Sequence, residues 1–355
     1  MKKLRIDKIF EINPSNQADR INWVDYVRGF GIIVVIFAHS QIPWNLFRLI
    51  SFIIVLFPFL SGYLHKPKSL KDLIKKRYPL VLGYYYMGFI NYIIWILLVP
   101  EEIRKVDNLT YLKNFLLVRT DLFSEIPLGI IPMWYLIYIF IAEITYYIAK
   151  KAKFLYAIII IGFLLRFYIP QPLPFKVDVV LSTLYVFELG RIFRERNLIV
   201  KNYIGIISLI IWGIIAQINN GVNWNCDEYG INPILALIGE VSTVLAIVWA
   251  MQSIEKITIF KKSLGRLFKR FSDNSLFILG YHILLGSLVI VFLMLIGFNV
   301  TEENIKRYWY ITFIIMFFSS YISILFIPNK LKALLTTPLI NFSKEVKQSK
   351  EGKKE

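Results

Sequence analysis

Cysteine is almost missing from this chain. Cys226 stands alone among 355 residues, so no intrachain disulfide can form. Histidine is nearly as scarce, with His39, His65 and His282 in three separate segments. No two of them share a helix turn, the spacing a helical metal site uses, so no metal is expected. Acidic residues number 24 against 41 basic ones, a formal charge of +17. No polar stretch is long enough to build a second, water-soluble domain. There is no internal repeat, no low-complexity tract and no inverted pair of interrupted apolar segments of the kind transporters carry.

What is plentiful is apolar side chain. The chain is 57% hydrophobic with a mean hydropathy of +0.58, where soluble domains hold roughly 45–50%. It reads as an all-α polytopic membrane protein with about ten transmembrane helices. The apolar runs fall at roughly 24–41, 46–64, 78–99, 131–149, 154–170, 177–193, 202–218, 233–253, 273–297 and 308–327. With both termini inside, the inner segments hold 31 Lys and Arg and the outer ones 8, leaving Arg28 and Arg166 in spans. That split follows the positive-inside rule and accounts for the charge without a nucleic-acid partner. The first run follows a polar leader and exits into Gln41-Ile42-Pro43-Trp44, not a small-x-small site, so it is expected to be retained. The chain divides into a cytoplasmic segment 1–22, a membrane domain 23–328 and a basic cytoplasmic tail 329–355. The bilayer expected is the cell membrane, the cytoplasmic membrane of a bacterium.

Ionisable groups are costly inside a span and mark function by default. The first run carries Asp25, Arg28 and His39. Arg28 and His39 are eleven residues apart, about 20° past three full turns, so they share one helix face about 16 Å apart along the axis. Asp25 is placed either to pair with Arg28 one turn on or to cap the helix start. Arg28 is placed to bind a phosphate, or simply to reach the membrane interface. His282 lies mid-run in Ser275-Leu-Phe-Ile-Leu-Gly-Tyr-His282, able to serve the site or to bond between helices. The inner segment 65–77, with Lys75, Lys76 and Arg77, suits anionic lipid or a polyanionic nucleotide. The outer segment 219–232 has no basic residue and is rich in amides, acids and aromatics, which suits sugar hydroxyls. The outer segment 100–130 mixes charges with an amphipathic stretch from Tyr111 to Leu117, fit to lie in the interface or cover an outer cleft.

Asp25-x-x-Arg28-Gly29, an apolar run and then His39-Ser40 resemble the first span of the acyltransferase-3 family. Four later stretches resemble it in the same order: Phe57-Pro-Phe-Leu-Ser61-Gly62-Tyr63, Trp134-Tyr135-Leu136, Phe187-Glu-Leu-Gly190-Arg191, and the run ending at His282. The family's paired arginines before a proline are replaced by Lys75-Lys76-Arg77-Tyr78-Pro79. The resemblance implies a membrane O-acyltransferase that moves an acyl group, acetyl by expectation, from acyl-CoA to a hydroxyl of an envelope sugar or polysaccharide. His39 is then the base or acyl carrier, with Asp25, Arg28 and His282 assisting it. Arg28, Lys75, Lys76 and Arg77 bind the donor, and no metal takes part. The rival reading is a membrane exporter of a polysaccharide or small anion that uses the same cations as a pathway.

Overall fold

A computed structural model gives the fold and describes residues 10–12, 22–67, 69–98, 108–119, 133–168, 172–298 and 301–337. It is all-α apart from two three-residue strands, β1 (Phe10–Ile12) and β2 (Leu198–Val200), paired antiparallel with Phe10 opposite Val200. The helix α1 (Asn22–Ala38) carries the first apolar run. The second run is bent: α2 (Trp44–Ile50) passes through a 3₁₀ turn at Ser51–Val55 into α3 (Leu56–Leu64). Pro58 explains the bend, because it has no N–H for the Ile54 carbonyl and its ring crowds that oxygen.

The next helix departs from the expected loop. Residues 65–77 are not a loop throughout; α4 (Leu70–Leu98) begins within them and runs on through Pro79. Ser69 starts it, its hydroxyl accepting the Asp72 N–H at 3.1 Å, and the Lys, Leu and Ile that follow sustain it. The amphipathic stretch from Tyr111 to Leu117 falls in α5 (Asn108–Leu116) except for its last residue, which is in the turn that follows. Residues 99–107 and 120–132, most of the expected outer cover, lie outside the described residues, as do most of 1–22 and the tail from 338.

The chain continues through α6 (Trp134–Lys151), α7 (Leu155–Leu165), α8 (Val177–Glu195), α9 (Asn202–Ile218) and α10 (Pro233–Lys256). Asn232 caps α10 by accepting the Ile234 N–H at 2.8 Å. Two short helices, α11 (Thr258–Lys262) and α12 (Leu264–Asp273), precede α13 (Ser275–Leu295). Last come α14 (Glu302–Arg307), α15 (Trp309–Phe326) and α16 (Asn329–Thr336).

Among the described residues, four stretches are long and apolar enough to cross a bilayer: Trp44–Leu64, α10, α13 and α15. The eleven residues of α7 span about 16 Å and the seventeen of α9 about 25 Å, against a hydrocarbon core near 30 Å. Ile206, Ile207, Ile210 and Ile214 of α9 are exposed, as are Leu288, Val291, Phe292 and Leu295 of α13. Apolar faces this continuous belong against lipid, not water. Close crossings hold the bundle. A side chain at Gly29 would meet the Phe268 carbonyl oxygen at 1.8 Å, so glycine lets α12 lie against α1. Gly62 and Gly190 do the same reciprocally for α3 and α8, against the Phe187 and Phe59 carbonyls.

Candidate active site

A cavity of about 670 Å³ runs along one face of α1, from Arg28 through Gly31 and Val35 to His39. The face predicted by helical spacing is therefore the face that lines it. Arg28 and Arg77 line the end nearest the start of α1; His39, α2 and the loop residues Val222–Cys226 line the other. Between them the wall is chiefly Ile, Val, Leu and Phe, with Ser61 and Tyr135 as polar interruptions.

His39 follows the last turn of α1, with Nδ1 at 2.7 Å from the Val35 carbonyl. A carbonyl only accepts, so Nδ1 carries the proton and Nε2 keeps a lone pair. His282 on α13 is fully buried and built the same way, with Nδ1 at 2.8 Å from the Ile278 carbonyl. Its Nε2 lone pair lies 3.4 Å from His39 Nδ1, with ring centroids 5.2 Å apart. The two imidazoles, 243 residues apart in sequence, form one unit. Such a unit can accept a proton at His39 Nε2 while His282 steadies the ring that receives it.

At the other end, no described side chain hydrogen-bonds the Arg28 guanidinium, and Asp25, Arg77, Tyr135 and Asp273 are its ionisable neighbours. Asp25 lies off the cavity and accepts from the Ser272 hydroxyl at 3.3 Å, tying α1 to α12. Arg77 is already engaged: it clasps Glu143 of α6 through Nε at 2.8 Å and a second nitrogen at 2.6 Å. His65 stands 3.7 Å from the same carboxylate. Lys75 and Lys76 are exposed and do not line the cavity. The structure thus brings Arg28, Arg77 and His39 to one chamber, sets His282 behind His39, and leaves Asp25, Lys75 and Lys76 outside it.

Two of the remaining motif stretches reach the same chamber, while Phe187–Arg191 does not line it. Phe57, Leu60, Ser61 and Leu64 line it, and so do Trp134, Tyr135 and Leu136. The Tyr135 hydroxyl is buried, with the Ser61 hydroxyl of α3 as its hydrogen-bonding neighbour. Sequence reasoning placed Tyr135 in a motif without a role of its own and missed Glu143 and Glu240. The last two carried a signal, a carboxylate inside an apolar run.

The loop between α9 and α10, the segment expected on the outer side, is built rather than loose. Asn219 spans it, donating from Nδ2 to the Tyr229 carbonyl at 2.9 Å and accepting the Asn232 N–H at 2.8 Å. Asn223 and Glu228 face each other across an antiparallel bridge. Burial pushes the Asp227 carboxyl up to about 6, against the opposing hydrogen bond from Tyr229.

A cavity with His39 in its wall and His282 behind it, inside a helical bundle with apolar outward faces, defines an α-helical membrane protein. The chain belongs to the acyltransferase-3 family: its residues 21–328 match the acyltransferase domain that defines it. No curated protein and no solved structure matches the chain. The protein is therefore a membrane acyltransferase.

Proposed function

We propose that the protein is an O-acetyltransferase, taking acetyl from acetyl-CoA at the inner end of the cavity and passing it to a hydroxyl of an envelope sugar or polysaccharide. His39 Nε2 removes the acceptor proton as the hydroxyl oxygen attacks the thioester carbonyl. The C–S bond then breaks, the thiolate leaves, and the proton on His39 returns to it, so that ester and free thiol are the products. His282 orients His39, and its lone pair faces the Nδ1–H that gains acidity when the ring is charged. Arg28 and Arg77 face the donor's phosphates, with Lys75 and Lys76 adding positive potential outside the mouth. Asp25 holds the start of α1. The proposed setting is the cell membrane, crossed ten times with both termini inside, so the acyl group passes through the protein toward the outer face.

The observation that carries this reading is that His39 and Arg28 line one cavity at opposite ends, with His39 Nε2 engaged by none of the described residues. The purified protein, supplied with acetyl-CoA and extracted envelope glycans, tests it by free thiol and ester formed. His39→Ala should lower transfer by about 10²–10⁴-fold with unchanged yield and insertion, since alanine suits the helix and the bilayer. Wild-type transfer should rise with pH as the ring loses its proton. A folded His39→Ala protein transferring at the normal rate would sink the proposal, and export without ester formation would favour a transporter.

A further inference from the structure

The loop segment Val222–Cys226 closes the outer end of the cavity, and three side chains from three other elements hold it. The Val222 N–H donates to Ser51 Oγ of the 3₁₀ turn at 3.0 Å. Lys176 Nζ, itself fully buried, donates to the Asn225 carbonyl at 2.6 Å. The Trp224 indole N–H donates to Glu240 Oε1 at 2.8 Å. Lys176 reaches its place from two consecutive left-handed residues, Phe175 (φ 59°) and Lys176 (φ 57°), a conformation that persists in non-glycine residues only where the surroundings impose it.

The Trp224 anchor rests on a larger device. Glu240 is ion-paired with Arg166 at 2.9 Å, and both side chains are wholly shut off from solvent. The Tyr185 hydroxyl also donates to Glu240, and the Arg166 guanidinium lies 4.0 Å over the Tyr229 ring of the same loop. Apolar residues of like volume in place of such a pair are often neutral or better for stability, so stability alone does not explain it. Its direction does. Arg166 and Tyr185 both hold Oε2, and Arg166 reaches Oε1 as well at 3.4 Å, which fixes the carboxylate with Oε1 toward the Trp224 N–H. Trp224, only 2% exposed, is the buried key. Its neighbour Asn223 is half-exposed and lines the cavity. The Asn223 backbone is fixed in turn, its N–H donating to the Glu228 carbonyl at 2.7 Å and its own carbonyl accepting the Cys226 and Glu228 N–H groups.

The geometry points to the Asn223 side-chain amide as the specificity-determining contact for the acceptor's hydroxyls, with Trp224, Glu240, Arg166 and Lys176 as positioning residues. This rests on the acyl-transfer reading above and names the recognition element at its acceptor end. A carboxamide both donates and accepts, which matches a hydroxyl that does both. Set on a clamped loop, it selects a polyhydroxylated acceptor over a simple alcohol by geometry.

Cys226, the only thiol in the chain, reports on the clamp. The test uses the full-length protein in lipid nanodiscs with three readouts. These are acetyl-CoA affinity by calorimetry, Cys226 alkylation rate with N-ethylmaleimide, and O-acetyl esters on envelope glycans by mass spectrometry from cells carrying only the variant. Asn223→Leu should lower ester content at least about tenfold, the weight of one well-placed hydrogen bond, with donor affinity and alkylation rate unchanged. The double variant Arg166→Met/Glu240→Met should lose esters likewise while alkylation speeds up by about tenfold or more. Trp224→Phe, which keeps the ring and loses the N–H, should fall between and serves if the double variant does not fold. Wild-type ester content in Asn223→Leu, or in a variant whose Cys226 has been freed, overturns the assignment alone. Wild-type cells without esters overturn the acyl-transfer reading and the assignment together.

Discussion

At the scale of residues, the chain shows what helical periodicity reveals and what it hides. Arg28 and His39 were legible as a pair because both lie on α1, where 1.5 Å per residue fixes their distance and 100° per residue their face. His282 was legible only as an isolated ionisable group. Its meeting with His39 depends on how α13 packs against α1, and nothing in a one-dimensional pattern encodes that contact. The same limit concealed the Arg77–Glu143 clasp, so Arg77 was read as a free cation like Lys75 and Lys76. Arg28 differs from Arg77 in having no hydrogen-bond partner among the described residues while it faces the cavity. If donor phosphates are its partner, Arg28→Ala should weaken acetyl-CoA binding by about ten- to a hundredfold, the loss expected for a charged hydrogen bond in a partly dry site. Calorimetry on purified protein decides it. Unchanged affinity in a folded variant would assign Arg28 to the membrane interface instead.

At the scale of elements, strongly periodic apolar runs were easy to place and their joints were not. The segment 65–77 looked like a loop because it is charged, yet lysine, leucine and arginine are good helix formers and Ser69 supplies the cap. The bend at Ser51–Val55 was missed because its cause, Pro58, stands three residues beyond it. The glycines of the Arg28-Gly29, Ser61-Gly62 and Leu189-Gly190 stretches were legible as small residues, but not as the pair of crossings they make. The outer loop adds a pH dependence of its own. Asp227 has its carboxyl raised to about 6 by burial, with Asp178 adding to the rise and Tyr229, Arg166 and Lys176 opposing it. A raised acid binds its proton more tightly in the folded state. Its contribution is therefore complete below the ordinary carboxylate range near 4 and is lost as pH rises through about 6. Between pH ~4.5 and ~7.5 the wild-type melting temperature should fall further than that of Asp227→Asn, whose amide stays neutral throughout. Equal falls in the two proteins would show that Asp227 does not titrate in that range.

At the scale of the whole molecule, the charge split and the contacts between distant segments bear on the same question of sidedness. Segments assigned to one side by Lys and Arg meet each other in the fold. The strand Phe10–Ile12, from the inner N-terminal segment, pairs with Leu198–Val200 of the inner segment after α8. Lys332, from the inner C-terminal end, donates to Asn274 Oδ1 beside the inner helix α12 at 2.8 Å. On the other side, the Trp44 indole N–H donates to Asn220 of the outer loop at 2.9 Å. The short α7 is the weakest step, since eleven residues do not cross the hydrocarbon core unaided. Arg166 at its end is paired with Glu240, while α7 itself packs on one side against α8 and leaves Tyr156, Ile160, Ile161 and Leu164 exposed on the other. Reporter fusions after Lys153 and after Lys344 should then both report cytoplasm, and a fusion at Asn220 the outside. Because the fusion sites after Lys153 and at Asn220 flank α7, α8 and α9, an odd number of crossings, they must differ if all three cross. The same side for both would mean that α7 enters and leaves by one face. The ten-span arrangement would then fail while the cavity, which α7 does not line, kept its form.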